Sequence, residues 1–557
     1  MTNPSRTPSQ IDAIAEAWVD TVADLSPSTA TYIGRSEHNE RLEDLSPAGH
    51  ERVAEEIRRT LGAVREATPV DAIDEVTKTD LVRDLELSLE LHHAQWDLRD
   101  VNVIASPAQN LRGVFDLMPT DTADDWEVVS KRLRALPAAL DGYVETLRAG
   151  IAGDVVPARR QVLEVVAQIE RYTAPSGFFA EFAGNAAPKE GQLPAALARD
   201  LADNANAVRV AYDRLADILR TELAPAASEE DAVGRDLYAL HSRRFLGAAV
   251  DLDETYEWGV EELARMVAEQ ESIANEIKPG ATVEEAVAFL EADASHKLHG
   301  TDALQKWMQE TSDRAIEELG RTHFDIPEPI RALECMIAPT QEGGIYYTGP
   351  TDDFSRPGRM WWSVPEGVTE FDTWRELTTV YHEGVPGHHL QIAQQVYNRA
   401  ELNSWRRLLA GTSGHAEGWA LYAERLMEQL GYLDDPADRL GMLDGQRMRA
   451  ARVVLDIGVH LGKPRPDGQG TWDADYALEF MRANVNMPDA FVRFEVNRYL
   501  GWPGQAPSYK VGQRIWEQLR DEVAEREGDD FSIKAFHKRA LNIGSVGLDT
   551  LRTALVG

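Results

Sequence analysis

The sequence predicts a mainly α fold: one large, bilobed helical body with a small antiparallel β-sheet beside its most unusual helix. Three observations predict it. Apolar residues recur at three- and four-residue steps over most of the 557 positions, the period of an amphipathic helix. The pattern changes only after about residue 325, where short aromatic and β-branched runs are bounded by Gly and Pro. No linker rich in Gly, Ser or Pro intervenes, so a helical region 1–300 and a second region 301–557 read as parts of one continuous body.

Taken in order, "SQIDAIAEAWVDTVADL" starts at Ser9, a residue suited to cap the helix that follows. "AGHERVAEEIRRTLGAVREA", "KTDLVRDLELSLELHHAQWDL" and "DETYEWGVEELARMVAEQESIANEI" repeat the same period. "VNVIASPAQN", "RYTAPSGFF", "NAAPKEGQLP" and "IKPGAT" interrupt it with turn residues. "IRALECMIAP", "GGIYYTGP" and "GRMWWSVP" are the three predicted strands. An edge of such a sheet can pair with an extended peptide, or the sheet can simply cover a core. Helices resume at "FDTWRELTTVYHEG" and continue to the end.

Composition excludes several classes. With 43 % hydrophobic and 27 % charged residues, the chain has the balance of a soluble globular protein. No apolar run approaches the roughly 20 residues of a bilayer span, and the amino terminus lacks the pattern of a secretory signal. The single cysteine, Cys335, excludes an internal disulfide and fits a reducing, cytoplasmic location. A net charge of −37 repels nucleic acid and anionic membranes, so neither is expected as a partner.

The chemistry concentrates in "YHEGVPGHHLQ", residues 381–391. In H-E-x-x-H, two histidines one helical turn apart chelate zinc, and the glutamate between them is the general base. Here the next histidines are six and seven positions after His382. On an unbroken helix His389 would lie about 10 Å along the axis from His382, and His388 would face another side. Neither could join His382 on one ion. Pro386 and Gly387 break helices, however, and a bulge that absorbs two residues would bring His388 to the position of the usual second ligand.

A zinc site needs a third protein ligand. The best candidate is Glu417 in "GTSGHAEGWALYAERL", near the start of the next helix; a glutamate there can also serve merely to stabilise the helix N-terminus. Glu424 lies on the same helix face, where an exposed salt bridge is the simple role. Further on, "RAARVVLDIGVHLG" sets Arg452, Asp456 and His460 at four-residue steps, and "EVNRYLGWPGQAPSYKVG" offers Arg498, Tyr499, Gln505, Tyr509 and Lys510 around a Trp-Pro-Gly turn. A histidine or tyrosine there can stabilise an oxyanion, and Arg or Lys can hold a substrate carboxylate. Buried salt bridges and packing are the plain alternatives. His92 and His93 have no matching carboxylate pattern, and His296 and His299 sit on an exposed polar stretch, so neither pair is expected to bind a metal.

With these segments in hand, the chain resembles the DUF885 family. The resemblance rests on "STATYIGRSEHNERLEDLSP", "GGIYYTGP", "YHEGVPGHHLQ", "HAEGWALYAERL", "DIGVH" and "RYLGWPGQAPSYKVG", spanning about residues 28 to 512. It implies a mostly helical, gluzincin-like metallopeptidase fold with a deep cleft, similar to the carboxypeptidase Taq and oligopeptidase groups. In those relatives a glycine precedes the second metal histidine, as Gly387 precedes His388, which favours His388 over His389. Their Glu-initiated helix matches the one at Glu417. The chain departs from them by two extra residues inside the metal motif.

The resulting expectation is a zinc-dependent peptidase acting on short peptides. His382, His388 and Glu417 bind one zinc ion, and Glu383 is the general base. Tyr509 and His460 stabilise the oxyanion, while Tyr347, Arg498 and Lys510 bind the peptide. Two alternatives use the same residues: a non-catalytic peptide-binding or scaffolding protein, and a metal-dependent hydrolase of non-peptide amides or esters.

Overall fold

Helix α1 (Gln10–Leu25) begins where its cap indicates. The Ser9 hydroxyl accepts the Asp12 N–H while the Asp12 carboxylate accepts the Ser9 N–H, so two otherwise orphaned donors are satisfied reciprocally. Its apolar stripe packs on α2 (Pro47–Glu66) and α3 (Ala72–His93), and Trp405 from the distant half of the chain fills the same cluster. This is a computed structural model describing residues 6–339 and 344–557. Residues 1–5, part of the stretch inspected for a secretion signal, and Gly343 of "GGIYYTGP" lie outside the described residues.

A second core joins α4 (Ala123–Ala152), α5 (Arg159–Thr173) and α6 (Ala195–Ile218). The largest core runs from Tyr238 to Leu555 and takes in α7 (Leu252–Ile277) and α8 (Thr301–Thr322). The first of these two cores ends at Ala224 and the other begins at Tyr238.

All three strands expected after residue 325 form: β2 (Leu333–Ile337), β3 (Ile345–Thr348) and β4 (Gly358–Trp362). Their sheet is mixed rather than antiparallel. β4 lies in the middle, antiparallel to β3 with Ile345 opposite Trp362 and parallel to β2 with Leu333 opposite Gly358. The strand with the strongest inward face, carrying buried Met360 and Trp362, takes the centre. A further antiparallel pair joins β1 (Lys297–His299) to β5 (Glu370–Asp372), which leads directly into the helices of the site.

Those helices are α9 (Thr373–Glu383), α10 (His388–Tyr397), α11 (Ser413–Gln429), α12 (Pro436–Leu461), α13 (Asp489–Gly501) and α14 (Ser508–Glu527). α11 and α14 touch backbone to backbone. A Cβ on Gly418 would lie 2.4 Å from the Gly512 carbonyl carbon, and one on Gly512 would lie 2.3 Å from the Gly414 oxygen. Only glycine permits this approach. The last helix, α15 (Leu548–Val556), returns to α3, where buried Asp80 accepts the Gly547 N–H and the Thr550 hydroxyl at 2.9 Å each.

Candidate metal centre

The motif does not bulge within one helix; it breaks into two. α9 stops at Glu383 and α10 starts at His388. Pro386 cannot donate to the helical ladder, and the Val385–Pro386 peptide is cis. The chain then doubles back, so that the Gly387 N–H donates to the Tyr381 carbonyl at 3.0 Å and the His389 N–H to the Gly384 carbonyl at 3.1 Å. A Cβ on Gly387 would sit 1.9 Å from the His382 carbonyl oxygen, so no side chain fits there. From α11, the Trp419 indole N–H donates to the Pro386 carbonyl at 2.9 Å and fixes the turn from outside.

This turn brings the rings of His382 and His388 together, with centroids 4.8 Å apart and planes perpendicular. The Nε2 atoms of the two rings lie 3.4 and 3.6 Å from the same oxygen, Oε2 of Glu417. Two donors held by a tetrahedral zinc at about 2.1 Å stand about 3.4 Å apart, so both spacings fit one ion between the three groups. The donor set, two imidazoles and a carboxylate, also fits zinc. The Glu383 carboxylate belongs to the same buried cluster, with a ligand atom within 4.8 Å of both histidines.

The surrounding groups define the protonation pattern. His382 Nδ1–H donates to Glu424 Oε1 at 2.7 Å, which orients the ring so that Nε2 faces Glu417. Glu424 is buried and in turn accepts from Gln446 at 3.1 Å. Burial opposes a charge on His382, but hydrogen bonds with Glu417 and Glu424 outweigh it and push the imidazole up to about 10. Burial would raise Glu417, yet hydrogen bonds to His382 and His388 hold it well below the usual carboxylate range. Glu383 is raised, chiefly by burial. Among the described residues its carboxylate has no hydrogen-bond partner, and it is free to accept a proton.

His389 lies elsewhere. Its Nε2–H donates to the Ile330 carbonyl at 2.7 Å, and its Nδ1 accepts from the Tyr347 hydroxyl at 2.9 Å. Both ring nitrogens are thus engaged, and the Tyr347 hydroxyl expected to bind peptide is committed to His389. His460 is also occupied: its Nε2–H donates to the Tyr499 carbonyl at 3.1 Å, and Nδ1 accepts the Val233 N–H at 3.4 Å. It has no N–H left for an oxyanion, and burial lowers it to about 4. Lys510 is buried and bonds Gln446 at 2.7 Å, Gln513 at 3.0 Å and Glu262 at 3.1 Å, so its ammonium holds helices together rather than a ligand. Arg498 holds Glu495 at 3.0 Å and Gln505 at 2.6 Å.

Tyr509 lies within electrostatic reach of Glu417. It is half-buried, the Glu417 charge acts on it, and its hydroxyl is raised, first by burial. Among the described residues that hydroxyl has no hydrogen-bond partner. Two contributors escaped sequence reasoning. Glu424 was visible as a same-face neighbour of Glu417, seven positions on, but its burial was not. Arg449, whose charge acts on Glu383 and Glu424, carried no local signal.

Among the described residues no helix is long and apolar enough to cross a membrane. Two solved structures share the architecture over nearly the whole chain. A "putative lipoprotein" from Colwellia psychrerythraea superposes with a TM-score of 0.85 at 22 % identity, covering 98 % of each chain. A "putative lipoprotein of unknown function" from Shewanella oneidensis gives 0.77 at 16 % identity, covering 99 % of this chain and 100 % of its own. A carboxypeptidase from Pyrococcus furiosus reaches only 0.36 at 13 % identity, covering 88 % of this chain and 96 % of its own, too little to support an inference. No curated protein matches the sequence. The family described as bacterial protein of unknown function matches residues 27–555, and the chain belongs to that family, DUF885.

Proposed function

We propose that the protein is a zinc-dependent peptidase that hydrolyses short peptides in the cytoplasm. The observation that carries the reading is the convergence of His382 Nε2, His388 Nε2 and Glu417 Oε2 beside the unpartnered carboxylate of Glu383. The three converging groups would hold the ion. Zinc bound there supplies Lewis acidity, making a water nucleophilic near neutral pH and polarising a carbonyl.

The chain's own residues do the rest. Glu424 keeps His382 in the tautomer that presents Nε2. Glu383, raised by burial and lacking a hydrogen-bond partner, takes a proton from the attacking water and delivers it to the leaving amine. Tyr509 remains protonated because its pKa is raised, and it donates its O–H to the carbonyl oxygen as negative charge develops. The lone, buried Cys335 requires no oxidising compartment, which supports the cytoplasmic placement. The lipoprotein description belongs to the two similar structures.

Glu383→Gln tests the mechanism. The variant should bind one zinc per chain and lose nearly all hydrolysis of a fluorogenic peptide library. Undiminished hydrolysis would sink it. A zinc-loaded wild type that binds peptides and never cuts them would turn the reading to a peptide-binding protein.

A further inference from the structure

The wall of the site formed by α12 carries a cation that, among the described residues, makes no hydrogen bond or ion pair. Arg449 is half-buried, and its Nε is shielded from solvent with nothing to bond. Its position follows from its neighbours on the helix. Three residues earlier, Gln446 bonds Glu424 at 3.1 Å; three residues later, the Arg452 guanidinium stacks over the Tyr509 ring, 5.4 Å from its centroid. Residues three apart share a helix face. Arg449 therefore lies on α12 between the residue that bonds Glu424 and the residue that stacks on Tyr509. It is close enough to act on the carboxylates of Glu383, Glu424 and Asp444 and on the Tyr509 hydroxyl.

The other cations at this end are committed. Arg452 bonds the Tyr499 hydroxyl at 2.7 Å and Glu495 at 2.8 Å, and Arg498 shares the same Glu495. Glu495 thus engages two of the three guanidinium groups on this wall, and Arg449 bonds to no carboxylate. Arg449 has carboxylates nearby but hydrogen-bonds to none of them, and its unused fork of N–H donors is suited to a carboxylate brought by a ligand.

We propose that Arg449 binds a carboxylate of the substrate beside the scissile bond. The α-carboxylate of a peptide C-terminus would make the enzyme exo-acting; an Asp or Glu side chain would make it selective for acidic residues. This rests on the peptidase reading for the word substrate, but the binding claim can be measured without catalysis.

The experiment is calorimetric titration of zinc-loaded Glu383→Gln protein, with and without Arg449→Met, using three tripeptides. They are Ala-Ala-Phe with a free C-terminus, the same peptide as its C-terminal amide, and Ala-Asp-Ala amide. Circular dichroism and zinc content check each variant's fold. A carboxylate-bearing peptide should bind at least tenfold more tightly than Ala-Ala-Phe amide, and Arg449→Met should reduce that preference to less than twofold. The free acid and the Asp peptide identify which carboxylate is used. Equal binding of all three peptides, or a preference that survives Arg449→Met, would overturn the proposal. Wild-type hydrolysis is scored separately. Binding preference without hydrolysis removes the peptidase reading and leaves this one; hydrolysis without preference does the reverse.

Discussion

Glu424→Gln removes one charge from the centre at almost constant volume, and its cost can be worked out from the contacts. Glu424 is 2 % exposed, with Oε1 accepting from His382 at 2.7 Å and Oε2 from Gln446 at 3.1 Å. The introduced amide can still offer its oxygen to His382, but its NH2 then meets the NH2 of Gln446. Turning Gln446 over would break its 2.7 Å bond from Lys510. The variant therefore exchanges a charge-assisted hydrogen bond, about twice as strong as a neutral one, for a strained neutral contact. Losing such an orienting partner lowers metal affinity about 10- to 100-fold, or about 1.4 to 2.7 kcal/mol. Competition against a chromophoric zinc chelator reads the two dissociation constants, with circular dichroism confirming the fold. Values within about twofold of each other would refute the idea that Glu424 sets the basicity and orientation of His382.

His388→Ala should abolish stoichiometric zinc, whereas His389→Ala should retain it and lose about 2 to 4 kcal/mol of stability through the unpaired Ile330 carbonyl and Tyr347 hydroxyl. Metal analysis after dialysis and urea denaturation separate the two, and the reverse pattern would reassign the ligand. Gly387→Ala should weaken zinc binding by more than about tenfold, since its methyl would collide with the His382 carbonyl; wild-type affinity would mean that the turn relaxes at no cost. Asp456 supplies a pH test away from the metal. Burial raises it to about 7, although the Tyr238 hydroxyl and the Gly504 N–H both donate to it. Its folded pKa lies above the ordinary value of about 4, so its contribution is full below pH 4 and is lost as pH rises through 7. Asp456→Asn should flatten urea-denaturation stability between about pH 4 and 7; an unchanged profile would refute the assignment.

Much of the architecture was legible because it depends on local patterns. The Ser9 cap, the helical periods and the three Gly- and Pro-bounded strands each appear as read. Strand direction was not legible: alternation marks which face of β4 is buried but not which neighbour will lie beside it. At the centre, Pro386 and Gly387 signalled an interruption, yet its extent depends on Trp419 reaching in from α11. His460 shows the opposite error. Its four-residue spacing from Asp456 looked chemical, but its partners are the backbones of Tyr499 and Val233, which no local pattern reveals. Glu424 and Arg449 differ from ordinary surface charges only in what surrounds them, and that is a property of the packed molecule.

The broken helix changes what holds the two histidines in register. An H-E-x-x-H pair is spaced by the helix itself, so a short helical peptide already offers both rings to an ion. Here the register is set by a doubled-back turn, a glycine pressed on the His382 carbonyl and an indole from another helix. The distance between the rings is thus a tertiary quantity. Excised residues 373–397 should fail to present the pair, and zinc affinity becomes a gauge of whether the whole C-terminal core is assembled.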